Sequence, residues 1–159
     1  MCEYNKFKGG FCLTKVKIAI VDDNRELVKM MEMYFTNHPQ IEVVATASNG
    51  KMCIKMLEEH TVDVLLLDII MPHLDGLGVL EKLIKANVEL PICIMLSAVG
   101  QDNVTAQAIN LGAQYYILKP FNMDVLMKRI RELIDKLIEI AEKAWNEKNK
   151  NNYSFKSDI

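Results

Sequence analysis

No apolar run in this 159-residue chain approaches the roughly 20 residues a membrane span needs, and the N-terminus has no continuous apolar stretch of the signal-peptide kind. A cytoplasmic protein is the default expectation. Neither charge is in marked excess: 19 Lys and Arg against 21 Asp and Glu leave a formal net charge of -2, which gives no general pull toward nucleic acid or an anionic membrane. The four cysteines, Cys2, Cys12, Cys53 and Cys93, include no close pair of the metal-binding kind. Cys53 and Cys93 fall inside apolar patterns, where a buried thiol is the common fate, so a reducing compartment is expected. Two phosphate-binding signatures are missing as well. The first apolar run is not followed by GxGxxG, which argues against a dinucleotide site, and GxxxxGK(S/T) occurs nowhere, which excludes a P-loop.

Half of the residues are hydrophobic and a quarter charged, enough for one complete core and too little chain for two ordinary domains. The stretch Val64 to Gly76, VLLLDIIMPHLDG, organises the rest. Its first half reads as a strand buried on both faces whose end delivers the carboxylate of Asp68 into a crevice. Other apolar runs end comparably. Val16 to Val21 ends at Asp22-Asp23, Pro91 to Leu96 at Ser97-Ala98, and Gln114 to Leu118 at Lys119-Pro120, while Ile41 to Thr46 reads as one more strand. Helical spacing fills the gaps. Asp23 with Glu26 is expected to cap a first helix with Leu27, Met30, Met31, Tyr34 and Phe35 inward; others follow Ser48-Asn49-Gly50, Asp75-Gly76 and Asp102, the last ending at Gly112.

Strands alternating five times with helices predict an α/β fold with a doubly wound parallel sheet, whose ligands sit outside the carboxyl ends of the strands. That rule gathers Asp22, Asp23, Asp68, Ser97 and Lys119 on one edge. The last helix begins near Asn122 and continues past Ile134 to Trp145, a length of about 36 Å. Ile130, Ile134, Leu137, Ala141 and Ala144 step by 4, 3, 4 and 3 along it, a heptad-like seam suited to its own domain, to a partner or to a helical linker. The expected divisions are an N-terminal extension over 1–15, a domain over 16–134, an extension of the last helix over 135–145, and a polar linker or cut end over 146–159.

Three carboxylates converging at a sheet edge repel one another unless a cation lies between them, and Mg²⁺ binds through a few carboxylates while keeping waters for a phosphate. With such an ion in place Asp68 suits the role of nucleophile toward a phosphoryl group, and Lys119 and Ser97 suit its oxygens. Each residue has an ordinary alternative: a lysine after a strand is usually solvated, a serine there usually caps, and an acidic pair before a helix usually serves the helix dipole. The combination at the same ends of four strands is what carries the reading. His38 and His60 fall at helix exits and His73 in the loop beside Asp68, so a histidine site is not expected.

From Val16 to about Ile134 the chain resembles the receiver domains of bacterial two-component response regulators. The blocks DDNREL, LLLDIIMPHLDG and GAQYYILKPF look very close to the receiver of the master sporulation transcription factor of spore-forming Firmicutes. The resemblance implies a flavodoxin-like strand order 2-1-3-4-5. It implies phosphorylation of Asp68 by a histidine kinase or histidine phosphotransfer protein, with Mg²⁺ placed by Asp22, Asp23, Asp68 and the backbone carbonyl of Ile70. It also implies phosphoryl contacts from Ser97 and Lys119, a switch through Ser97 and the aromatic Tyr116, a cis bond before Pro120, and a face that forms a homodimer on phosphorylation. DNA contact would belong to a transcription-regulating domain that nothing after Asn146 is long enough to be. A single-domain phosphorelay carrier and a degenerate receiver acting only as an interaction module are the alternatives.

Overall fold

A computed structural model describes the backbone of residues 4–7, 10–13, 15–98, 100 and 102–153, with side chains at 15–98, 100 and 102–148. Two short antiparallel strands, β1 (Tyr4–Phe7) and β2 (Gly10–Leu13), precede the main body, with Tyr4 opposite Leu13 and Phe7 opposite Gly10. The expected extension over 1–15 thus contains a hairpin, for which the Gly9-Gly10 pair was the one turn signal. Five parallel strands follow: β3 (Val16–Val21), β4 (Ile41–Ala47), β5 (Val64–Asp68), β6 (Ile92–Ala98) and β7 (Tyr115–Lys119). Their spatial order is β4-β3-β5-β6-β7, which is 2-1-3-4-5 when the strands of this sheet alone are counted.

Helices cover both faces. On one side α1 (Arg25–Thr36) and α5 (Met123–Tyr153) bring Met31, Phe35, Leu126 and Ile130 onto Ile18, Ile20, Leu66 and Ile94. On the other, α2 (Gly50–Glu59), α3 (Gly76–Lys85) and α4 (Asp102–Asn110) bring Cys53, Met56, Leu80 and Ala108 onto Ala19, Leu65, Leu67 and Met95. Alternate residues of β5 therefore serve opposite cores, and all five are buried, as a central strand covered on both faces requires. Truncating Leu66 or Leu67 to Ala would cost about 2–5 kcal/mol through lost burial and the cavity left behind. Burial also pushes the thiols of Cys53 and Cys93 up to about 12, so both stay protonated inside this core.

The structure corrects the cap of α1 and adds detail along α5. Asn24, not Asp23, caps α1: its Oδ1 accepts from the N–H groups of Glu26 and Leu27, each at 3.1 Å. The helix consequently turns Val28, Met31 and Phe35 inward and leaves Met30 and Tyr34 at the surface, where the Tyr34 hydroxyl donates to Asp124 Oδ1 at 3.0 Å. The seam on α5 divides. Ile130 and Ile134 are buried under their own sheet, Leu137 and Ala141 are half-buried, and Ile140 is exposed. The helix continues through Asn146 to Tyr153, where a polar linker or cut end was expected. No described helix is long and apolar enough to cross a membrane.

Candidate functional site

All five strands run in one direction, so their carboxyl ends form a single edge, and β3, β5, β6 and β7 each deliver a polar residue there. Asp22 directly follows β3 and is buried; its N–H donates to the Ala47 carbonyl at 3.1 Å, and its Oδ1 accepts from the N–H of Asn24 at 2.9 Å. Because Asn24 caps α1, the neighbouring Asp23 side chain is left exposed at the mouth of the crevice. Asp68, the last residue of β5, is buried. One oxygen from each of Asp22, Asp23 and Asp68 lies within 4.8 Å of the others.

Lys119 ends β7 and reaches across to this cluster. Its Nζ is 2.5 Å from Asp22 Oδ2 and 3.3 Å from Asp68 Oδ1, bridging the two buried carboxylates as a cation would. One lysine does not offset the whole cluster. Loss of solvent pushes the Asp68 carboxyl up to about 6, and the nearby charges of Asp22 and Asp23 push the same way against the pull of Lys119.

Ser97 stands one position before the end of β6, fully buried, and its Oγ has no hydrogen-bond partner. An unpaired buried hydroxyl costs about 1–3 kcal/mol, so an oxygen acceptor brought to Asp68 would answer a need already present in the fold. Ala98 follows Ser97, in register with Lys119 on β7. Ile70 lies two residues past Asp68 with its side chain exposed, in a loop fixed by Ile69 N–H to the Leu96 carbonyl at 3.1 Å and Gly76 N–H to the Ile69 carbonyl at 2.8 Å. Tyr116 is on β7 with its side chain outward, 48% exposed. The peptide bond between Lys119 and Pro120 is cis. His73, exposed in the same loop as Ile70, takes a left-handed backbone with φ 69°.

The donor set fits a hard divalent ion. Ligand oxygens on an octahedral Mg²⁺ stand about 3–4.2 Å apart, so a carboxylate group already within 4.8 Å needs only a small contraction. It contains no sulfur or imidazole to favour a softer metal. The sequence reasoning brought Asp22, Asp23, Asp68, Ser97 and Lys119 to one edge, and the structure holds them there. It passed over Asn24, whose capping leaves Asp23 free, and Gly76, where a β-carbon would stand 2.4 Å from the Asp68 carbonyl oxygen. The signal for both was present: Asn24 directly follows the acidic pair read as metal ligands, and Gly76 follows Asp75 in a pair read only as a helix start.

The family model described as response regulator receiver domain matches residues 18–131. Among solved structures, the chain is similar to a two-component response regulator from Clostridium difficile, at 22% identity and a TM-score of 0.69, covering 77% of this chain and 98% of that one. It is similar to the Francisella response regulator 1452 receiver domain at 27% identity and a TM-score of 0.67, covering 77% and 99%. A third similarity is to the CheX–CheY–BeF3–Mg²⁺ complex from Borrelia burgdorferi, at 26% identity and a TM-score of 0.67, covering 75% and 89%. With its parallel sheet in this order and its acidic cluster beside a lysine at the sheet's carboxyl edge, the chain belongs to the response regulator receiver domain family.

Proposed function

We propose that Asp68 accepts a phosphoryl group from a phosphohistidine on a histidine kinase or histidine phosphotransfer protein, in the receiver of a two-component or phosphorelay response regulator. The observation that carries this reading is the convergence of three carboxylates, the Lys119 ammonium and the unpaired Ser97 hydroxyl in one crevice. The Borrelia burgdorferi relative is a complex containing BeF3 and Mg²⁺, which supports the same chemistry here. Asp22, Asp23, Asp68 and the Ile70 carbonyl would hold Mg²⁺, which would supply the positive charge that lets a phosphoryl dianion approach a carboxylate.

The Asp68 carboxylate oxygen attacks phosphorus and the P–N bond of the donor breaks. Its electron pair returns to the imidazole nitrogen, which takes a proton from solvent, and Asp68 is left as an acyl phosphate. Lys119, now shared between Asp22 and Asp68, turns its ammonium to a phosphoryl oxygen, and Ser97 Oγ donates to another. Movement of Ser97 toward the new charge opens space beside β6. Tyr116, exposed on the adjacent strand, turns into it, and the face formed by α4, β7 and α5 changes shape and pairs two copies. The resemblance of three sequence blocks to a sporulation regulator extends the proposal to control of transcription through an attached DNA-binding domain. The complete acidic and lysine set weighs against a receiver used only as an interaction module.

Incubation with a small phosphoryl donor and Mg²⁺ is expected to add the mass of one phosphoryl group in an acid-stable, base-labile linkage, with none added to Asp68→Asn. Labelling that persists in that variant, or maps to Ser97 or His73, overturns the assignment. Sedimentation velocity with and without donor reads the pairing, and an association constant unmoved by modification removes the switch.

A further inference from the structure

The loop from Ile69 to Asp75 leaves the site at Asp68 and returns to it at Gly76, and three glycines hold it. Gly76 lies against the Asp68 carbonyl and belongs to the site's own segment. Gly50, the buried first residue of α2, comes from outside. Its N–H donates to the Leu74 carbonyl at 3.0 Å, and a β-carbon on it would stand 2.4 Å from that oxygen and 2.8 Å from both Leu74 Cβ and Cγ. Gly78 receives the other end of the same side chain, its β-carbon position lying 2.5 Å from Leu74 Cδ1.

Glycine is a poorer helix former than alanine, and Gly50 does not occupy the left-handed region that would call for it. Close approach is therefore what the position requires. The contact at Gly78 is with the tip of a flexible side chain and can yield by rotation. The contact at Gly50 is backbone against backbone and closed by a hydrogen bond, so any added atom must move the loop or the helix.

We propose that Gly50 is a positioning residue for the phosphoacceptor site: its bare backbone sets the seat of Leu74 and thereby the path of the loop that carries Ile70. The inference rests on the reading of Asp22, Asp23, Asp68 and the Ile70 carbonyl as the Mg²⁺ ligands. Mg²⁺ demands near-ideal octahedral geometry, so a carbonyl displaced by several tenths of an ångström loses its place in the coordination shell. Asp68 itself stays on β5 and is less affected, which separates the role of Gly50 from that of the nucleophile.

The test compares Gly50→Ala, Gly78→Ala and Gly112→Ala in the full chain, by Mg²⁺ titration calorimetry, thermal unfolding and amide exchange of the Ile69 to Leu74 segment without metal. Gly112 follows α4 at the far edge of the sheet with φ 103°, so its alanine variant strains the backbone away from the site. Gly50→Ala is expected to weaken Mg²⁺ affinity about tenfold and to quicken exchange in the loop. Gly112→Ala is expected to lower the melting temperature while keeping wild-type Mg²⁺ affinity, and Gly78→Ala to keep that affinity too. Wild-type Mg²⁺ affinity in Gly50→Ala, or equal loss in Gly112→Ala, overturns the proposal. Should Gly50→Ala fail to fold, amide exchange at Gly50 in the wild type carries the test: Mg²⁺ is expected to slow it together with the Ile69 to Leu74 segment, and exchange at Gly50 unmoved by Mg²⁺ rejects the clamp. Absence of Mg²⁺ binding by the wild type rejects the ligand assignment itself, and is distinguishable because the metal-free exchange still reads whether Gly50 holds the loop.

Discussion

The sheet has a buried aspartate at each end of β5, and the two are held in opposite ways. Asp63, just before the strand, is 8% exposed; its Oδ2 accepts the Lys17 N–H at 2.8 Å, its own N–H donates to the Lys17 carbonyl at 2.8 Å, and its carbonyl accepts from Ile92 at 2.9 Å. It fastens β3, β5 and β6 at their starts. Asp68, at 7%, is as deeply buried but shares its surroundings with two other carboxylates, one lysine and an unpaired hydroxyl. Burial alone does not make a carboxylate reactive. What differs is whether the neighbouring groups are already satisfied, and at the carboxyl edge they are not.

The contrast breaks most visibly at the metal. Asp23→Asn is expected to weaken Mg²⁺ binding by about tenfold or more, because it removes one anionic ligand from a small set. Asp63→Ala should leave that affinity unchanged while losing about 1–3 kcal/mol of stability through the stranded Lys17 N–H. Titration calorimetry and urea unfolding read the two quantities separately, and wild-type affinity in Asp23→Asn would reject the ligand set.

Acidity separates the two ends next. The folded state holds the Asp68 proton more tightly than the unfolded chain, with a pKa of about 6 against 3.8. Its contribution is therefore fully present below the unfolded value and lost as pH rises through 6. Without metal the wild type should weaken over that window by about 2–3 kcal/mol at most, and Asp68→Asn should lack this slope. Saturating Mg²⁺ reverses the sign, since the ion favours the ionised carboxylate. Unfolding in chelator across the window, with equal slopes for both proteins, would remove the crowding argument.

Smaller effects sharpen the picture. Ser97→Ala deletes a hydroxyl without a partner, so the unmodified protein should be unchanged or about 1 kcal/mol more stable, whereas the phosphorylated form should accumulate less. Loss of stability in the unmodified variant would show that Oγ is already satisfied. His73→Gly relieves a left-handed residue in the loop beside Asp68 and should gain roughly 0.5–1 kcal/mol by urea unfolding.

The residues of the site were legible because each closes an apolar run, and parallel strands with covering helices leave no choice about which edge those ends share. Finer features were not. In Asp22-Asp23-Asn24 all three side chains can cap, and only the three-dimensional demand for Asp22 and Asp23 at the crevice leaves Asn24 to do so. The 4-3-4-3 seam could not announce that Ile130 and Ile134 face their own sheet, since core-facing helices and partner-facing helices share that spacing. The hairpin at Tyr4–Phe7 and Gly10–Leu13 is too short for alternation to be read, and Gly50 was visible only as a helix start because close approach leaves no pattern in sequence.

The length of α5 has a mechanical meaning. At 31 residues it spans about 46 Å, whereas the strands beside it, of five to seven residues, span about 17–23 Å. Its first turn begins four residues after Lys119, and Asp124 in that turn is held to α1 by Tyr34. Because Ile130 and Ile134 pack under the sheet, a tilt of about 10° has its pivot near Ile134, and the helix beyond it to Tyr153 would carry the last turn through about 5 Å, by the helical rise alone. A tilt of the packed segment too small to repack its core would thus arrive at the far end as a movement of several ångströms, which makes the outer length of this helix a lever whose short arm lies against the sheet that carries Asp68.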